Sequence, residues 1–229
     1  METAEQAQPG AQARVPLNRE RVLRAAIALA DKAGFESLTM RKLARELGVE
    51  AMSLYNHVAN KADILDGIID IVFSEIELPR VGGDWKAAMR GRALSTREAL
   101  SRHRWAVGLM ESQMRPGPAN IRLHDSVLGC LREAGFSVEM AVHAYSLQDS
   151  YIYGFALQEK GFALQRNSLP ADEESLAKTM LRRLPPGDYP YIAETVGSHV
   201  TGEGYDFADE FEFGLDLILD ALERLRGSA

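Results

Sequence analysis

The sequence predicts an all-α fold made of two helical parts of unequal size. Apolar residues recur at intervals of three and four, and no segment of the 229 residues alternates apolar with polar residues as a half-buried strand does. The charge is also divided unevenly. Residues 17–63 contain eight Lys or Arg and six Asp or Glu, whereas residues 64–229 contain 17 and 25. This asymmetry points to two modules with different partners.

The composition is that of a globular protein, with 46% hydrophobic and 26% charged residues. No apolar run approaches the roughly 18 residues that span a bilayer, and the closest, "IIDIVF", contains Asp70. Residues 1–16 lack the apolar centre of a secretory signal, and their Ala, Gln, Pro and Gly predict a disordered tail. Because no apolar run is long enough, no membrane contact is expected. Cys130 is the only cysteine, which excludes an internal disulfide and fits a reducing cytoplasm.

The N-terminal part contains three short predicted helices, at 18–32, 39–47 and 50–57. Asn18 and Thr39 are the expected N-caps of the first two. Gly34 and Gly48 end these helices, since glycine adopts positive φ without steric cost. The remaining helices are predicted at 60–77, 84–103, 105–114, 121–134, 137–160, 173–184, 191–199 and 207–226.

The third helix is too short to bury much, yet it carries several side chains suited to contacts outside the chain. Leu54 and Val58 are expected to anchor it inward, and its other side chains are small or polar. Three helices with a tight turn before the third form a helix-turn-helix unit. Such a unit places its third helix in the DNA major groove. The same pattern also fits a solvated helix hairpin in an all-α protein.

Longer segments resemble a known family. Leu17 to Asp70, with the core "LTMRKLARELGV…LYNHVANK", resembles the N-terminal domain of the TetR family of bacterial repressors. "DWKAAMRGRALSTREALSRHRW", "RPGP" and "LREAGFS" resemble the C-terminal domain of the tetracycline-repressor branch. The resemblance implies a helix-turn-helix DNA-binding domain at 17–63 and a ligand-binding and dimerisation domain at 64–229. It further implies a homodimer that binds a palindromic double-stranded DNA operator, is released by a small-molecule inducer and controls an efflux or resistance gene.

The resemblance also implies DNA-contacting positions. Those expected to contact bases are Arg41, Ala51, Met52 and Tyr55; those expected to contact phosphates are Thr39, Ser53, Asn56, His57 and Lys61. The chemistry agrees, because Arg donates two bonds to guanine and apolar side chains meet the thymine methyl. Hydroxyl, imidazole and ammonium groups suit phosphate oxygens. Relatives often carry a polar residue where Ala51 stands, so the operator sequence does not follow from the resemblance.

In the C-terminal part, three polar residues interrupt apolar stripes. The stripes are Val138, Val142, Tyr145, Asp149, Ile152 and Ala156; Trp85, Ala88, Met89, Arg92, Thr96 and Leu100; and Ile121, His124, Leu128 and Leu131. A buried unpaired charge is costly, so Asp149 is expected to pair with Arg92 or, second, His124. Alternatively, Arg92 extends to solvent, His124 is a satisfied core histidine and Asp149 lies at a stripe edge.

The resemblance places a ligand cavity around these residues. The implied lining residues are Arg92, Thr96, Met110, Glu111, Met114, Arg115, His124, Leu128, Tyr145, Gln148 and Asp149. In tetracycline repressors a histidine of the sixth helix holds the drug's magnesium ion and an asparagine of the fifth helix grips the drug. Glu111 and Arg92 stand at these positions, so neither a metal nor another cofactor is expected. A ligand with polar groups on an aromatic or polyketide-like frame fits better.

The closing helix is more apolar than packing within one domain requires. Its apolar residues are Phe207, Phe211, Phe213, Leu215, Leu217, Ile218, Leu219, Ala221, Leu222 and Leu225. The other side of the 137–160 helix carries Ala144, Leu147, Tyr151 and Phe155. The resemblance implies that these two helices pair with their copies in a four-helix dimer interface.

Two other functions remain open from the residues. An activator of the same fold has the same sequence features as a repressor. An enzyme using Glu111, His124 and Asp149 is the alternative from another class. The chain contains no Gly-x-Ser-x-Gly elbow, phosphate loop or His-Glu-x-x-His motif, and a binding cavity explains the three residues without catalysis.

Overall fold

The computed structural model describes residues 16–110, 115–166, 179, 181–182, 185, 187–197 and 206–226. The helices of these residues are α1 (Arg19–Ala33), α2 (Met40–Leu47), α3 (Ala51–Leu54), α4 (Lys61–Ser74), α5 (Trp85–Arg102), α6 (Val107–Met110), α7 (Pro118–Glu133), α8 (Val138–Arg166), α9 (Pro190–Thr195) and α10 (Asp209–Arg226). A 3₁₀ turn at Phe35–Ser37 precedes α2. The described residues contain no strand, and the predicted all-α class is confirmed.

Local capping chemistry sets the helix boundaries of the N-terminal part. Asn18, Thr39 and Asn60 each accept the backbone N–H three residues further on, at 2.8, 3.2 and 2.9 Å. Each therefore satisfies one of the N–H groups that lack a partner within the helix. Gly34 and Gly48 have φ of 78° and 66°, which L side chains rarely adopt. The predicted caps and glycine stops are confirmed.

Several predicted boundaries were wrong by a few residues. The predicted third helix is a single helical turn, Ala51–Leu54, which is followed by a turn at 55–57. Helix α4 ends at Ser74 rather than 77. Helix α7 begins at Pro118 rather than 121, because proline is favoured at the first helical position, where no N–H is needed. Helix α8 extends to Arg166, six residues beyond the predicted end.

Other boundaries in the C-terminal part also differ from the prediction. Helix α6 begins at Val107 rather than 105, and residues 111–114 of the predicted helix lie outside the described residues. Helix α9 continues as a π-helical turn at 196–197, and residues 198–199 of the predicted helix lie outside the described residues. Helix α10 begins at Asp209 rather than 207. The tail at 1–15 and most of the predicted helix 173–184 lie outside the described residues.

Helix α4 joins the two parts of the chain. It packs against α1 on one side and against α7 on the other, while α5 packs against α8 and α10. Ile68, Ile69 and Val72 of α4 are fully buried. They belong to one cluster of buried apolar residues that extends from α1 to α10. Helix α4 therefore contacts helices of both parts of the chain directly.

The buried face of α8 differs from the predicted one. Val138 and Val142 were expected inward but are 66% and 48% exposed. Ala144 and Phe155, expected on the outer side, are instead buried. The inward residues are Ala141, Ala144, Gln148, Ile152 and Phe155, with Asp149 and Ala156 at their edge. Asp149, Ile152 and Ala156 of the predicted stripe are therefore buried as expected, and the inward face is rotated from the predicted one by less than one residue step of about 100°.

An apolar surface remains exposed on the outer side of α8 and α10. Phe213 and Leu217 of α10 are 65% and 55% exposed, and Leu147 of α8 is 47% exposed. Tyr151 instead faces α10, where its hydroxyl donates to the carbonyls of Glu210 and Phe211 at 3.0 Å. Among the described residues, no helix is both long and apolar enough to traverse a bilayer.

Candidate DNA-binding face and polar cluster

The short helix α3 presents most of its side chains outward. Leu54 and Val58, 0% and 2% exposed, anchor the segment in the core as predicted. Met52 and Tyr55 are 75% and 47% exposed on the opposite side. Large apolar and aromatic side chains held in solvent on an anchored turn are available for contacts with another molecule.

The other predicted DNA-contacting residues surround this turn. The exposed ones are Thr39, Arg41, Met52, Tyr55, Asn56 and Lys61, and the half-buried ones are Ala51, Ser53 and His57. The Thr39 hydroxyl oxygen accepts the Lys42 N–H, and its O–H can still donate to a phosphate oxygen. Lys61 Nζ lies 4.5 Å from the centroid of the Phe35 ring.

A clamp that the sequence did not reveal fixes the turn after α3. Arg19 donates to both carboxylate oxygens of Asp63, at 2.6 and 2.9 Å, and to the carbonyl of His57 at 3.2 Å. Asp63 also accepts the N–H of Ala59 at 2.8 Å. The hydrogen bonds from Arg19 lower the pKa of the Asp63 carboxyl. The clamp therefore joins the start of α1, residues 51–57 (which we call the recognition turn, after the predicted helix-turn-helix) and the start of α4.

A second contact joins α1 to the C-terminal part. His103, 7% exposed, places Nδ1 at 2.8 Å from Asp31 of α1 and Nε2 at 3.2 Å from Glu75. Trp105 Nε1 donates to the same Asp31 oxygen at 2.7 Å. Asp31 thus receives two side-chain contacts from the segment after α5, and this contact too has no counterpart in the sequence analysis.

In the C-terminal part, Arg92 of α5 pairs with Asp149 of α8. The Arg92 side chain is 1% exposed and that of Asp149 is 11% exposed, and Nη2 of Arg92 donates to Oδ1 of Asp149. The predicted pairing with Arg92 is therefore confirmed. The Arg92 guanidinium carbon also lies 5.7 Å from the centre of the Tyr145 ring.

His124 contacts Tyr145 and not the carboxylate. Its Nδ1 lies 3.0 Å from the carbonyl of Asn120, which only accepts, so Nδ1 carries the proton. In the neutral imidazole Nε2 then accepts, and the Tyr145 hydroxyl donates to it. Burial raises the pKa of Tyr145, and the nearby Asp149 charge raises it further, so the hydroxyl stays protonated. Arg92, Asp149, Tyr145 and His124 form what we call the polar cluster.

Buried polar atoms beside the polar cluster lack partners among the described residues. They are Nε and Nη1 of Arg92, both side-chain polar atoms of Gln148, and Oδ1 of Asn120. Gln148 is 0% and Asn120 7% exposed. An unsatisfied buried donor or acceptor costs about 1–3 kcal/mol. A ligand with oxygen and N–H or O–H groups would satisfy atoms of both kinds.

The remaining predicted pocket residues are distributed differently. Thr96 is fully buried, and its hydroxyl donates to the Arg92 carbonyl at 2.8 Å. Met110 is buried, Leu128 is half-buried and Arg115 is exposed. Glu111 and Met114 lie outside the described residues. The alternative catalytic group of Glu111, His124 and Asp149 is therefore described only for its last two members. Ile121, expected inward beside His124, is 56% exposed.

Two family models match the chain. The model of the bacterial regulatory proteins of the tetR family matches residues 22–68. The model of the tetracyclin repressor-like C-terminal domain matches residues 78–226. Together they include every helix that the structure describes except the first residues of α1 and the last of α4.

Similar proteins are transcriptional regulators. The HTH-type transcriptional repressor DrrR1 of Streptomyces coeruleorubidus is 36% identical over 215 residues, which cover 91% of this chain and 78% of the relative. The class C tetracycline repressor protein of Escherichia coli is 31% identical, with 92% of each chain covered. The structure of the Streptomyces coelicolor TetR family protein ActR with actinorhodin has a TM-score of 0.74 and 27% identity, covering 93% of this chain and all of that one.

Proposed function

Because this chain belongs to the TetR family of bacterial regulatory proteins, we propose that it is a repressor that binds a palindromic operator as a homodimer and is released by a small molecule. The main observation in favour of DNA binding is that Met52 and Tyr55 are exposed on a turn that is anchored in the core. The Arg19–Asp63 clamp supports it, because a helix that reads base edges must be held rigidly. Residues 17–63 would form the DNA-binding domain, and residues 64–229 the ligand-binding and dimerisation domain.

The polar cluster supports the ligand-binding half of the proposal. Small-molecule sites are mainly apolar with a few convergent polar groups. Arg92 and Gln148 supply buried donors and an acceptor without partners, and Tyr145 supplies an aromatic face. We therefore infer a ligand with hydrogen-bonding oxygens on an aromatic or polyketide-like frame. The similar structures support this class, since ActR was solved with actinorhodin and with (S)-DNPA, and an Acinetobacter baumannii TetR variant with minocycline.

The exposed apolar residues of α8 and α10 support a homodimer. Leu147, Phe213 and Leu217 lie on two helices that already pack against each other. Apolar patches rimmed by charged residues mark interaction sites. Charged residues lie beside these apolar side chains, since Arg90 of α5 pairs with Glu212 and Asp216 of α10. A symmetric pairing of the two helices would bury the patch in both chains at once.

The DNA-binding proposal is tested by operator binding of matched variants, with the gene's own upstream region as the duplex. Tyr55→Ala should cost about 1–3 kcal/mol of operator affinity and relax specificity at particular bases. Lys61→Ala should weaken binding to all sequences alike and reduce the salt slope by about one unit. Arg122, an exposed cation of α7, is the charge-matched control, and Arg122→Ala should bind as wild type. Equal, sequence-independent losses from all three variants would contradict the assignment.

A reporter gene under the same upstream region separates a repressor from an activator. Deleting the regulator should raise expression from the reporter, and adding the bound probe to wild-type cells should raise it similarly. An activator gives the opposite result on deletion. Actinorhodin, (S)-DNPA and minocycline are the first probes, since similar proteins have been solved with them.

A further inference from the structure

Asp70 is a carboxylate in an otherwise buried apolar stretch of α4. Its neighbours Ile68, Ile69, Val72 and Phe73 are all at most 4% exposed. An ionised side chain in such a stretch requires a polar partner. Asp70 finds it on another helix, since its Oδ1 accepts the backbone N–H groups of residues 119 and 120 at 2.9 and 3.1 Å.

These two N–H groups are the ones that α7 leaves without an internal partner. Pro118, the first residue of the helix, has no N–H, and the N–H of Ile121 donates to the carbonyl of Gly117 at 3.0 Å. Gly117 itself provides no side-chain cap. Asp70 therefore replaces the local N-cap residue, and its negative charge lies where the helix dipole favours it.

The residue before α7 must be small for this cap to form. Gly117 has φ of −78° and ψ of 171°, an extended conformation that any residue adopts. Its conformation therefore does not require glycine. A Cβ at this position, however, would lie 2.8 Å from the Cβ of Asp70 and closer still to its carboxyl group. The close approach of the carboxylate to the helix start is what excludes a side chain at Gly117.

The same turn of α7 leads to the polar cluster. The N–H of Asn120 donates to Asp70, and its carbonyl accepts from Nδ1 of His124 at 3.0 Å. Nε2 of His124 accepts the Tyr145 hydroxyl, whose ring lies against Arg92. One residue, Asn120, thus stands between the carboxylate of α4 and the polar cluster.

We propose that Asp70 is a positioning residue that couples the polar cluster to the DNA-binding domain, with Gly117 providing the space it needs. A ligand that displaces the Tyr145 hydroxyl from His124 shifts the first turn of α7. Because the Asp70 carboxylate is bound to that turn, α4 follows, and α4 begins at the Arg19–Asp63 clamp beside the recognition turn. This inference rests on the proposed function, since such coupling matters only in a ligand-responsive regulator.

The contact itself is tested without any ligand by hydrogen exchange of the full chain. Asp70→Ala should speed exchange at residues 119 and 120 by about tenfold, as the loss of a helix cap does. Gly117→Ala should do the same, because its Cβ expels the carboxylate. In the Asp70→Ala background Gly117→Ala should add clearly less than in wild type, because the carboxyl group it displaces is gone and only the approach to the Cβ of residue 70 remains. Equal effects of Gly117→Ala in both backgrounds, or unchanged exchange in Asp70→Ala, would overturn the assignment.

Asp84→Ala is the matched control. The Asp84 carboxylate also accepts two N–H groups at a helix start, those of Lys86 and Ala87 at 3.0 and 3.1 Å, but within its own helix α5. Its loss should speed exchange at the start of α5 and leave residues 119 and 120 unchanged. This comparison separates a lost contact from a general loss of stability.

The coupling is tested by perturbing the polar cluster. Tyr145→Phe removes the hydroxyl bound to His124, and it should speed exchange at least threefold both at the start of α7 and along α4. In the Asp70→Ala background only α7 should respond. A response of α4 that is equal in both backgrounds, or absent from both, would overturn the coupling.

Operator release separates this inference from the proposed function. With actinorhodin as the probe, the Asp70→Ala variant should bind operator within about threefold of wild type and need at least tenfold more probe for release. If wild type binds no operator or is not released, the proposed function fails, while the exchange experiment still decides whether Asp70 couples the helices. If wild type is released and Asp70→Ala is released equally well, the coupling role is wrong.

Discussion

The ion pair between Arg92 and Asp149 provides the strongest prediction about stability. Asp149→Asn keeps an oxygen that accepts from Arg92 but removes the compensating charge. Arg92 is 1% exposed, so its charge cannot be solvated by water in the folded state. Arg92→Met removes the cation and leaves the carboxylate without its partner. Each single change therefore leaves one buried charge uncompensated.

The magnitude follows from the burial of the two side chains. Breaking a buried pair by removing one partner costs about 3–5 kcal/mol, whereas replacing both by apolar residues is often neutral. The Arg92 and Asp149 side chains, 1% and 11% exposed, are in this buried regime. We expect each single variant to lose about 3–5 kcal/mol of unfolding free energy. The double variant Arg92→Met with Asp149→Leu should lose less than about 2 kcal/mol, which gives a coupling energy of several kcal/mol.

The assay is urea unfolding followed by circular dichroism, with all variants at one protomer concentration because dimerisation would contribute to apparent stability. Glu20→Gln is the control, because Glu20 pairs with Arg24 while their side chains are 67% and 69% exposed. It should change stability by about 0.5 kcal/mol or less. Additive effects in the double variant, or single variants that lose less than about 1 kcal/mol, would refute the reasoning.

Asp149→Asn also tests the ligand site. It should leave operator affinity unchanged, because Asp149 lies on α8, away from the recognition turn. It should change the affinity for whichever probe wild type binds, measured by isothermal titration, because Arg92 then lacks its carboxylate. Unchanged probe affinity would place Asp149 outside the ligand site.

Three further predictions concern other regions of the chain. Asp63→Asn should lower the free energy of unfolding by about 1 kcal/mol or less at neutral pH. The folded-state pKa of Asp63 is below its unfolded value near 3.8, so this difference in unfolding free energy between variant and wild type should disappear as the pH falls through the folded pKa. A difference that stays constant down to the acid transition would contradict this. Leu217→Glu should convert the dimer to monomers, as measured by light scattering. Ile121→Glu is the control, because Ile121 is also an exposed apolar residue, and this variant should stay dimeric. A dimer that survives Leu217→Glu would place the interface elsewhere. Leu54→Ala should cost about 2–5 kcal/mol of unfolding free energy because the side chain is fully buried. Met52→Ala should keep the unfolding free energy within about 0.5 kcal/mol of wild type and weaken only operator binding. Equal losses of unfolding free energy in Leu54→Ala and Met52→Ala would contradict the assignment of Leu54 as the buried anchor and Met52 as the exposed contact.

The N-terminal helices were predictable because their boundaries depend on local chemistry. An N-cap at Asn18 or Thr39 needs only the residues of the next turn, and Gly48 stops α2 through its own φ. Burial of Leu54 also followed from helical spacing within one short segment. Such features depend on residues near each other in sequence, so pattern reasoning identifies them.

The inward face of α8 was not predictable in the same way. Its 29 residues carry apolar side chains around much of the circumference, so periodicity does not select one face. The packing of α5, α7 and α10 against α8 decides which face is buried, and it buries Gln148 while leaving Val142 exposed. The Arg92–Asp149 pair was still predictable, because a charge near the middle of an apolar face requires a partner regardless of the exact rotation of the helix.

The long-range contacts around Asp70 and Arg19 were not predicted from the sequence. Asp70 interrupts the apolar run "IIDIVF", but its partners are backbone N–H groups about 50 residues away that carry no sequence signal. Arg19 is one of three arginines at the start of α1, and nothing local distinguishes it from Arg21 and Arg24. Only the packing of α1 beside α4 selects Arg19 as the partner of Asp63.

Native mass spectrometry of the protein with its upstream duplex tests whether a homodimer binds the operator and is released by a small molecule. We expect two chains of 25.3 kDa on each palindromic site, no complex when one half-site is scrambled, and loss of the DNA when a probe that the protein binds is added. One chain per duplex, equal binding to the scrambled half-site, or a probe-bound protein that keeps its DNA would contradict the proposed function.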